Sequence, residues 1–205
     1  MLFQYAITQV LPLYFTFTDY NADVLELVTF PNLFLTWVST LNLNATSSST
    51  SSENENENTL LNLSEGATGD LDITPELKVS FIEAMKVSQI NLTFVSGSWL
   101  PADPWICLIP TSSQMNTLIL ASETIYSPSA LRSFTTAMVG ILKAVRLGKA
   151  MIAAKRVYFG VGGSVDAFKV ECAEQGAVAA EIENHGVDVG QGEGIRRCLL
   201  EVQMM

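Results

Sequence analysis

Histidine is almost missing from this sequence: His185 is the only one, and it stands beside Gly186 in a polar turn. A Ser-His-Asp triad needs an imidazole at the reacting atoms, and most zinc sites need more than one nitrogen or sulfur ligand, so both chemistries lack their parts. His185 reads as a turn residue. Cysteine is also scarce. Cys107, Cys172 and Cys198 are odd in number and have no metal-ligand spacing, which argues against a disulfide framework and leaves no metal site to propose. Three thiols acting as small core fillers in a reducing, intracellular compartment fit that usage. No uninterrupted apolar run reaches membrane length, so no membrane partner is expected. The opening Met1-Leu-Phe-Gln-Tyr-Ala-Ile-Thr-Gln-Val-Leu11 has no basic n-region, so no signal peptide is predicted, and the sequons at Asn44, Asn62 and Asn91 carry no weight.

Basic residues are few, 11 against 21 acids, for a formal charge of -10. Seven of those acids (Glu53, Glu55, Glu57, Glu65, Asp70, Asp72 and Glu76) lie between Asn44 and Glu76, where there is no Lys or Arg. Outside that segment 14 acids face 11 bases. The acidity therefore belongs to one segment rather than to a general surface field. No basic stripe with interleaved aromatics occurs, which disfavours direct nucleic-acid binding.

What the chain does have is a 48% hydrophobic content, enough for one domain with a real core. Residues 118–163 organise it. Leu118-Ile-Leu-Ala-Ser-Glu-Thr-Ile-Tyr126 and Met151-Ile-Ala-Ala-Lys-Arg-Val-Tyr-Phe-Gly-Val-Gly-Gly163 each read as a short apolar strand running into a polar, aromatic loop. The apolar runs predict strands buried on both faces of a parallel sheet. Loops at the carboxyl ends of such strands are where open α/β sheets bind ligands.

Before this stretch, Met1 to Gln9 reads as the end of a helix and Leu13 to Thr18 as a strand. Asn21 is a predicted N-cap with Asp23 in the first turn, and Pro31 is predicted to end or restart that helix. Residues 44–73 are low in complexity, with a Ser/Thr run and then Glu-Asn alternation over Ala45 to Asn58. They read as a disordered insertion within one domain, a solvated loop rather than an acidic docking tail. Thr74-Pro75 starts a helix with Leu77, Phe81 and Met85 on one face. Ile90 to Val95 makes a strand, and Pro101 to Asn116 a proline-interrupted connection. Ser127-Pro128 starts the next helix, with Leu131, Phe134, Met138, Ile141 and Leu142 inward and Gly148 as its stop. Ser164 caps a further helix carrying Val165, Phe168 and Cys172 inward, with Gly176 at its end. Val178 to Ile182 and Arg196 to Gln203 are two strands joined without a helix, hence antiparallel.

Parallel βα units closed by a C-terminal antiparallel β-hairpin resemble the α/β, Rossmann-like class I methyltransferase sheet. Three longer motifs narrow the likeness. Phe17-Thr-Asp-Tyr-Asn-Ala-Asp-Val-Leu25 with Val28-Thr-Phe-Pro-Asn32, then Ser122-Glu-Thr-Ile-Tyr-Ser-Pro128, then Ala154-Lys-Arg-Val-Tyr-Phe-Gly-Val-Gly-Gly163 resemble the protein-histidine N-methyltransferases. That resemblance implies S-adenosyl-L-methionine as cofactor, a histidine of a large-subunit ribosomal protein as acceptor, and a cytoplasmic or nuclear location. It also implies a first strand and a Gly-x-Gly loop ahead of the helix read at Met1 to Gln9. The chain lacks them, so it is expected to be a partial, N-terminally truncated methyltransferase domain over 1–205.

By the same resemblance, Asp19 would accept hydrogen bonds from the cofactor's ribose hydroxyls, flanked by Tyr20 and Asn21. An acceptor-only carboxylate suits a diol; the alternative is that Asp19 caps the following helix. Gly97, Ser98 and Trp99 would lie at the adenine, where relatives often carry an acid in place of Ser98; Trp99 covering the sheet end is the other reading. Ser122 would also touch the cofactor. Glu123 and Tyr126 are the candidate catalytic pair: Glu123 would hold one ring N–H of the acceptor and Tyr126 would shape the slot. Lys155, Tyr158, Phe159, Gly160, Gly162 and Gly163 would form the facing wall of the substrate cleft. A loop around a helix cap is the plain alternative for Glu123 and Tyr126, and a flexible glycine connection for 160–163. Two other functions share these residues: a lysine methyltransferase on the same fold, and a non-catalytic protein-binding module.

Overall fold

Helix caps decide where this chain turns from loop to helix, and four lie where the sequence puts them. A computed structural model describes residues 2–45, 70–182 and 197–205; the low-complexity segment, apart from its ends, and the turn holding His185 lie outside them. Asn21, Thr74, Ser127 and Ser164 each accept a backbone N–H from the first turn of the helix that follows, satisfying a donor that would otherwise be orphaned.

The chain folds as two compact units, Met1–Gly97 and Ser98–Met205, where the sequence reads as one domain. The first contains α1 (Leu2–Thr8), β1 (Tyr14–Asp19), α2 (Ala22–Val24), α3 (Phe30–Ala45), α4 (Pro75–Val87) and β2 (Asn91–Ser96). β1 and β2 are parallel, in register from Tyr14↔Asn91 to Asp19↔Ser96. The core of this unit is aromatic: Phe34, Trp37 and Phe81 meet with ring centroids 5.2–5.4 Å apart, over Phe3, Leu77 and Met85.

Pro31 does not end the helix. A π turn over Leu25–Thr29 joins α2 to α3, closed by the Phe30 N–H on the Leu25 carbonyl. Widening the turn just ahead of a proline accommodates the ring and the missing N–H without a break. The resulting helix, Ala22–Leu41, is long and apolar enough to cross a membrane by length and composition. Asp23, Glu26 and Asn32 interrupt its run, which is why the sequence shows no continuous apolar span. Leu33, Phe34, Trp37 and Val38 on its buried face belong to the core of this unit.

The second unit holds α5 (Ala102–Ile106), β3 (Asn116–Ser122), α6 (Pro128–Ala144), β4 (Leu147–Lys155), α7 (Val165–Glu174), β5 (Ala177–Ile182) and β6 (Arg197–Met204). α5 is a short helix inside what reads as an irregular connection. The sheet order is β3-β4-β6-β5, with β3 and β4 parallel and β6 antiparallel to both neighbours. The predicted C-terminal antiparallel pair is therefore present, and its last strand inserts beside β4. α6 and α7 cover one face, burying Leu131, Phe134, Met138, Phe168 and Cys172 against Ile152, Leu200 and Val202.

Three expectations change here. β3 is not buried on both faces: Leu118 and Leu120 are 50% and 62% exposed, while Ile119 and Ala121 pack on the core. Among the described residues of this unit, helices cover only the other side. Gly148 does not stop α6, which ends at Ala144; it lies within β4, where an added Cβ would stand 2.7 Å from Leu142 Cδ2. Its role is close packing of strand on helix. Cys107 is exposed rather than a core filler, whereas Cys172 is fully buried. Burial pushes the Cys172 thiol up to about 12.

Candidate active site

The loops after β3 and β4 are joined to one another by backbone. Gly163 donates its N–H to the Tyr126 carbonyl at 3.1 Å, and its own carbonyl accepts the Tyr158 N–H at 2.9 Å. A Cβ at Gly163 would lie 2.1 Å from the Ile125 carbonyl oxygen and 2.4 Å from the Tyr126 carbonyl carbon. Only glycine lets the two chains approach so closely. Gly160 and Gly162 carry positive φ, 80° and 83°, turning the 158–163 loop back on itself; the Gly162 N–H closes that turn on the Tyr158 carbonyl at 3.1 Å. The glycines here hold a fixed turn.

Ser122 ends β3 opposite Ala153, and the Glu123 N–H still reaches the Ala153 carbonyl at 3.0 Å. Glu123 then adopts φ 57°, a left-handed conformation that is uncommon outside Gly, Asn and Asp. The kink turns its carboxylate toward β4 and β6. Oε2 lies 3.9 Å from Lys155 Nζ and Oε1 lies 4.0 Å from Arg197 Nε. Arg197 was not among the residues picked out in the sequence. Its partner across the sheet is Lys155, a pairing that depends on the register of the C-terminal strands. Lys155 also stands over the Tyr158 ring, 5.6 Å from its centroid.

Tyr158 and Phe159 part company. Phe159 is 83% exposed at the loop tip and can face a partner, whereas Tyr158 is 6% exposed and belongs to the core. The Tyr158 hydroxyl accepts the Lys155 N–H at 3.2 Å. Burial raises its pKa; the Lys155 hydrogen bond opposes this, and the Glu123 charge adds to it. The phenol therefore stays protonated in neutral solution. Tyr126 is half exposed at the far end of its loop. The hydroxyl of Thr124, next to Glu123 in the chain, is buried with no partner among the described residues.

The predicted cofactor residues are divided between the two units. Asp19, Tyr20, Asn21 and Gly97 belong to the first, and Ser98, Trp99 and Ser122 to the second. In the first unit, Asp19 ends β1, its Oδ1 accepts the Asn21 N–H at 2.8 Å, and its carbonyl accepts the Gly97 N–H at 3.1 Å. Asn21, not Asp19, caps the helix, by accepting the Asp23 N–H at 2.9 Å. The second carboxylate oxygen of Asp19 has no hydrogen-bond partner among the described residues, so the group retains the acceptor capacity that a sugar hydroxyl requires. Gly97 has φ 127° and open space around its missing Cβ, and Tyr20 is 75% exposed.

In the second unit, Ser98 Oγ accepts the Leu100 N–H at 3.3 Å. Trp99 stands edge-on to Trp105 and Phe134, with centroids 4.8 and 5.7 Å away. Part of the indole is committed to that cluster, though the residue remains half-buried.

The chain is 35% identical to histidine protein methyltransferase 1 of Saccharomyces cerevisiae over 156 residues, 76% of this chain and 40% of that protein. The protein of the same name from Schizosaccharomyces pombe is 31% identical over 155 residues, again 76% of this chain, and 39% of the relative. The histidine protein methyltransferase 1 homolog of Bos taurus is 27% identical over 190 residues, covering 91% of this chain and 41% of the relative. The chain thus spans about 40% of the length of the curated relatives it matches. No family model matches it.

Proposed function

The chain belongs to the histidine protein methyltransferase family, and from that premise we propose that it supplies part of an S-adenosyl-L-methionine-dependent enzyme methylating a histidine side chain. The acceptor is proposed to be a ribosomal protein and the location cytoplasmic or nuclear, both on the family resemblance. Neither a membrane nor nucleic acid is a proposed partner. The Rossmann-like sheet, with a first strand and glycine loop ahead of α1, belongs to the same proposal. The observation that carries it is the Glu123-Thr-Ile-Tyr126 loop. It ends a parallel strand, is bonded to the glycine turn after the next strand, and occurs in a chain 35% identical to a named histidine methyltransferase.

Bound S-adenosylmethionine supplies an electrophilic methyl carbon on a sulfonium. Asp19, with one carboxylate oxygen held by the Asn21 N–H, is the group proposed to accept from its ribose hydroxyls. Gly97, with open space around its missing Cβ, is proposed to leave room for the adenine; Ser98, Trp99 and Ser122 keep the cofactor role that the family resemblance implies.

The acceptor imidazole must be neutral to offer a lone pair, and its other nitrogen must be held so that the ring points correctly. Glu123 is proposed to accept that second N–H. This fixes the tautomer and leaves the reacting nitrogen free, as a carboxylate does for the imidazole in a hydrolase triad. With the methyl–sulfur bond broken as the new N–C bond forms, the thioether S-adenosylhomocysteine would leave and the ring would become cationic; the Glu123 carboxylate would stabilise that charge and could take the remaining ring N–H proton. Tyr126 and Phe159 provide exposed apolar flanks, and Lys155 with the Gly160–Gly163 turn closes the other side. Holding the ring in one orientation supplies most of the acceleration, since proximity and alignment can contribute about 7–11 kcal/mol.

The test uses the full-length protein that carries this sequence, labelled S-adenosylmethionine and candidate acceptor proteins, with mass spectrometry of the product. Methyl on an imidazole nitrogen supports the proposal. Methyl on a lysine amine favours the lysine enzyme, and no transfer with intact protein binding favours a docking module.

A further inference from the structure

Lys155 ends β4 and Arg197 begins β6, and as register partners of an antiparallel pair they stand on one face of the sheet. Like charges placed directly opposite repel, so the pairing is unfavourable unless an anion lies near both. Glu123 is that anion: Oε2 is 3.9 Å from Lys155 Nζ and Oε1 is 4.0 Å from Arg197 Nε. Both separations exceed hydrogen-bond distance. The cations therefore act on the carboxylate through charge and leave its lone pairs open to another donor. Neighbouring groups do not change this balance among the described residues. Arg156 pairs with Glu181, the neutral Tyr158 phenol accepts the Lys155 backbone N–H, and Cys198 Sγ reaches the Ala154 carbonyl.

A carboxylate on its own favours the cationic form of whatever it holds: it raises the pKa of an imidazole and attracts an ammonium. That bias works against methyl transfer to histidine, which needs the neutral ring. A donor nitrogen held at about 2.9 Å from either oxygen lies within about 7 Å of the cation facing that oxygen. Two positive charges at such distances oppose one negative charge in direct contact, and the opposing effects are of similar size.

We propose that Lys155 and Arg197 are specificity-determining residues: they cancel the pull of Glu123 on a cationic guest, so the carboxylate holds a neutral imidazole and gains nothing from a protonated ring or a lysine ammonium. The proposal rests on the reading of Glu123 as the group that accepts the acceptor's N–H. It gives the two cations a role beyond that of a cleft wall, since built-in repulsion of the wrong guest is as much a source of specificity as attraction of the right one.

The test compares K155Q/R197Q, R197Q and E123Q in the full-length protein, measuring kcat for the histidine acceptor from about pH 5 to pH 8. The acid limb of kcat reports the ring's titration within the complex. K155Q/R197Q is expected to move that limb up by roughly 0.5–1 pH unit. R197Q moves it less and in the same direction, and the charge-conserving K155R/R197K returns it to the wild-type position. The difference between wild type and K155Q/R197Q shrinks in high salt. An acceptor carrying lysine in place of the histidine, cationic at neutral pH, is expected to inhibit K155Q/R197Q several-fold more strongly than the wild type. If K155Q/R197Q fails to fold, R197Q decides by the same criteria.

If E123Q leaves the acid limb in place, Glu123 does not face the ring, and that reading and this inference fail together. If E123Q moves the limb down, as loss of an anion should, while removing the cations does not move it up, the inference alone is overturned. Equal inhibition of wild type and variant by the lysine acceptor overturns it as well.

Discussion

Gly163 and Tyr126 are in backbone contact: the Gly163 N–H reaches the Tyr126 carbonyl oxygen at 3.1 Å, and a Cβ at 163 would stand 2.6 Å from that same oxygen. One interaction both bonds the two loops and forbids a side chain. Glu123 lies three residues before Tyr126 in the same loop.

Gly163→Ala is therefore expected to separate the loops. The clash is with backbone, which cannot rotate away, and overpacking of this kind costs about 1–3 kcal/mol. Thermal unfolding should show the loss, and methyl transfer should fall by more than the fraction unfolded accounts for. Gly160→Ala is the comparison. There the space is open and only the positive φ is strained, so a cost of about 1–2 kcal/mol is expected without separation of the loops. Equal effects on transfer from the two variants would mean that the junction does not position the site.

Glu123→Ala is expected to lower kcat strongly while S-adenosylhomocysteine binding, followed by calorimetry, changes little. The carboxylate faces Lys155 and Arg197 and is proposed to face the acceptor, so its loss acts on orientation. A parallel fall in cofactor affinity would move Glu123 to the cofactor side.

Asp19→Ala is expected to weaken S-adenosylhomocysteine about tenfold or more, since a hydrogen bond to a charged group contributes about 1.5–3 kcal/mol. Unchanged affinity by calorimetry would leave Asp19 only its observed bond to the Asn21 N–H and remove it from the cofactor site.

Alkali should destabilise the second unit through Cys172. Burial, with a smaller contribution from the Glu171 charge, raises this thiol from 9.0 to about 12. The folded state therefore keeps the proton while the unfolded chain gives it up. Stability from this group is complete below pH 9 and is lost as pH rises toward 12. Cys198 shifts in the same direction, chiefly by burial and then by the Glu181 charge. Unfolding followed from pH 8 to pH 11 should show a falling midpoint, less steep in Cys172→Ala. Thiol labelling should modify exposed Cys107 first and Cys172 only on unfolding. Labelling of Cys172 in the folded protein at the rate of Cys107 would contradict its burial.

Activity should fall as pH drops below the acceptor imidazole's pKa, about 6.5 when unperturbed, because only the neutral ring carries a nucleophilic lone pair. A pH-rate profile checks this. A flat profile through that range would point to another acceptor.

Most of the local structure was legible in the sequence because it is decided within a few residues. Asn21, Thr74, Ser127 and Ser164 cap helices by side-chain bonds to donors two or three positions on. Leu77, Phe81 and Met85 share a face because the helix repeats every 3.6 residues, and all three are buried. Gly176, at φ 83°, follows α7 as a helix-ending glycine should. The loops around Glu123 and Gly163 could also be found, since each follows an apolar run and carries a motif with a family likeness. Pro31 misled, because a proline signals a break and gives no sign that a π turn can absorb it.

By itself, then, the sequence determined the caps, the buried helix faces, most of the strand positions and the two loops of the candidate site, though β4 begins at Leu147, ahead of the predicted Met151. The tertiary structure decided the rest: that Gly163 touches the Tyr126 backbone, that Gly148 packs on α6 rather than ending it, and that Leu118 and Leu120 lie on an open sheet face. It alone placed Arg197 opposite Lys155 with Glu123 between them, and bonded the Tyr158 hydroxyl to the Lys155 backbone N–H. The physical reason is distance along the chain. A cap or a helix face is set by neighbours one to four residues away, whereas Glu123 and Arg197 meet only through the register of β6 on β4. That register is chosen by which side chains the assembled sheet can bury.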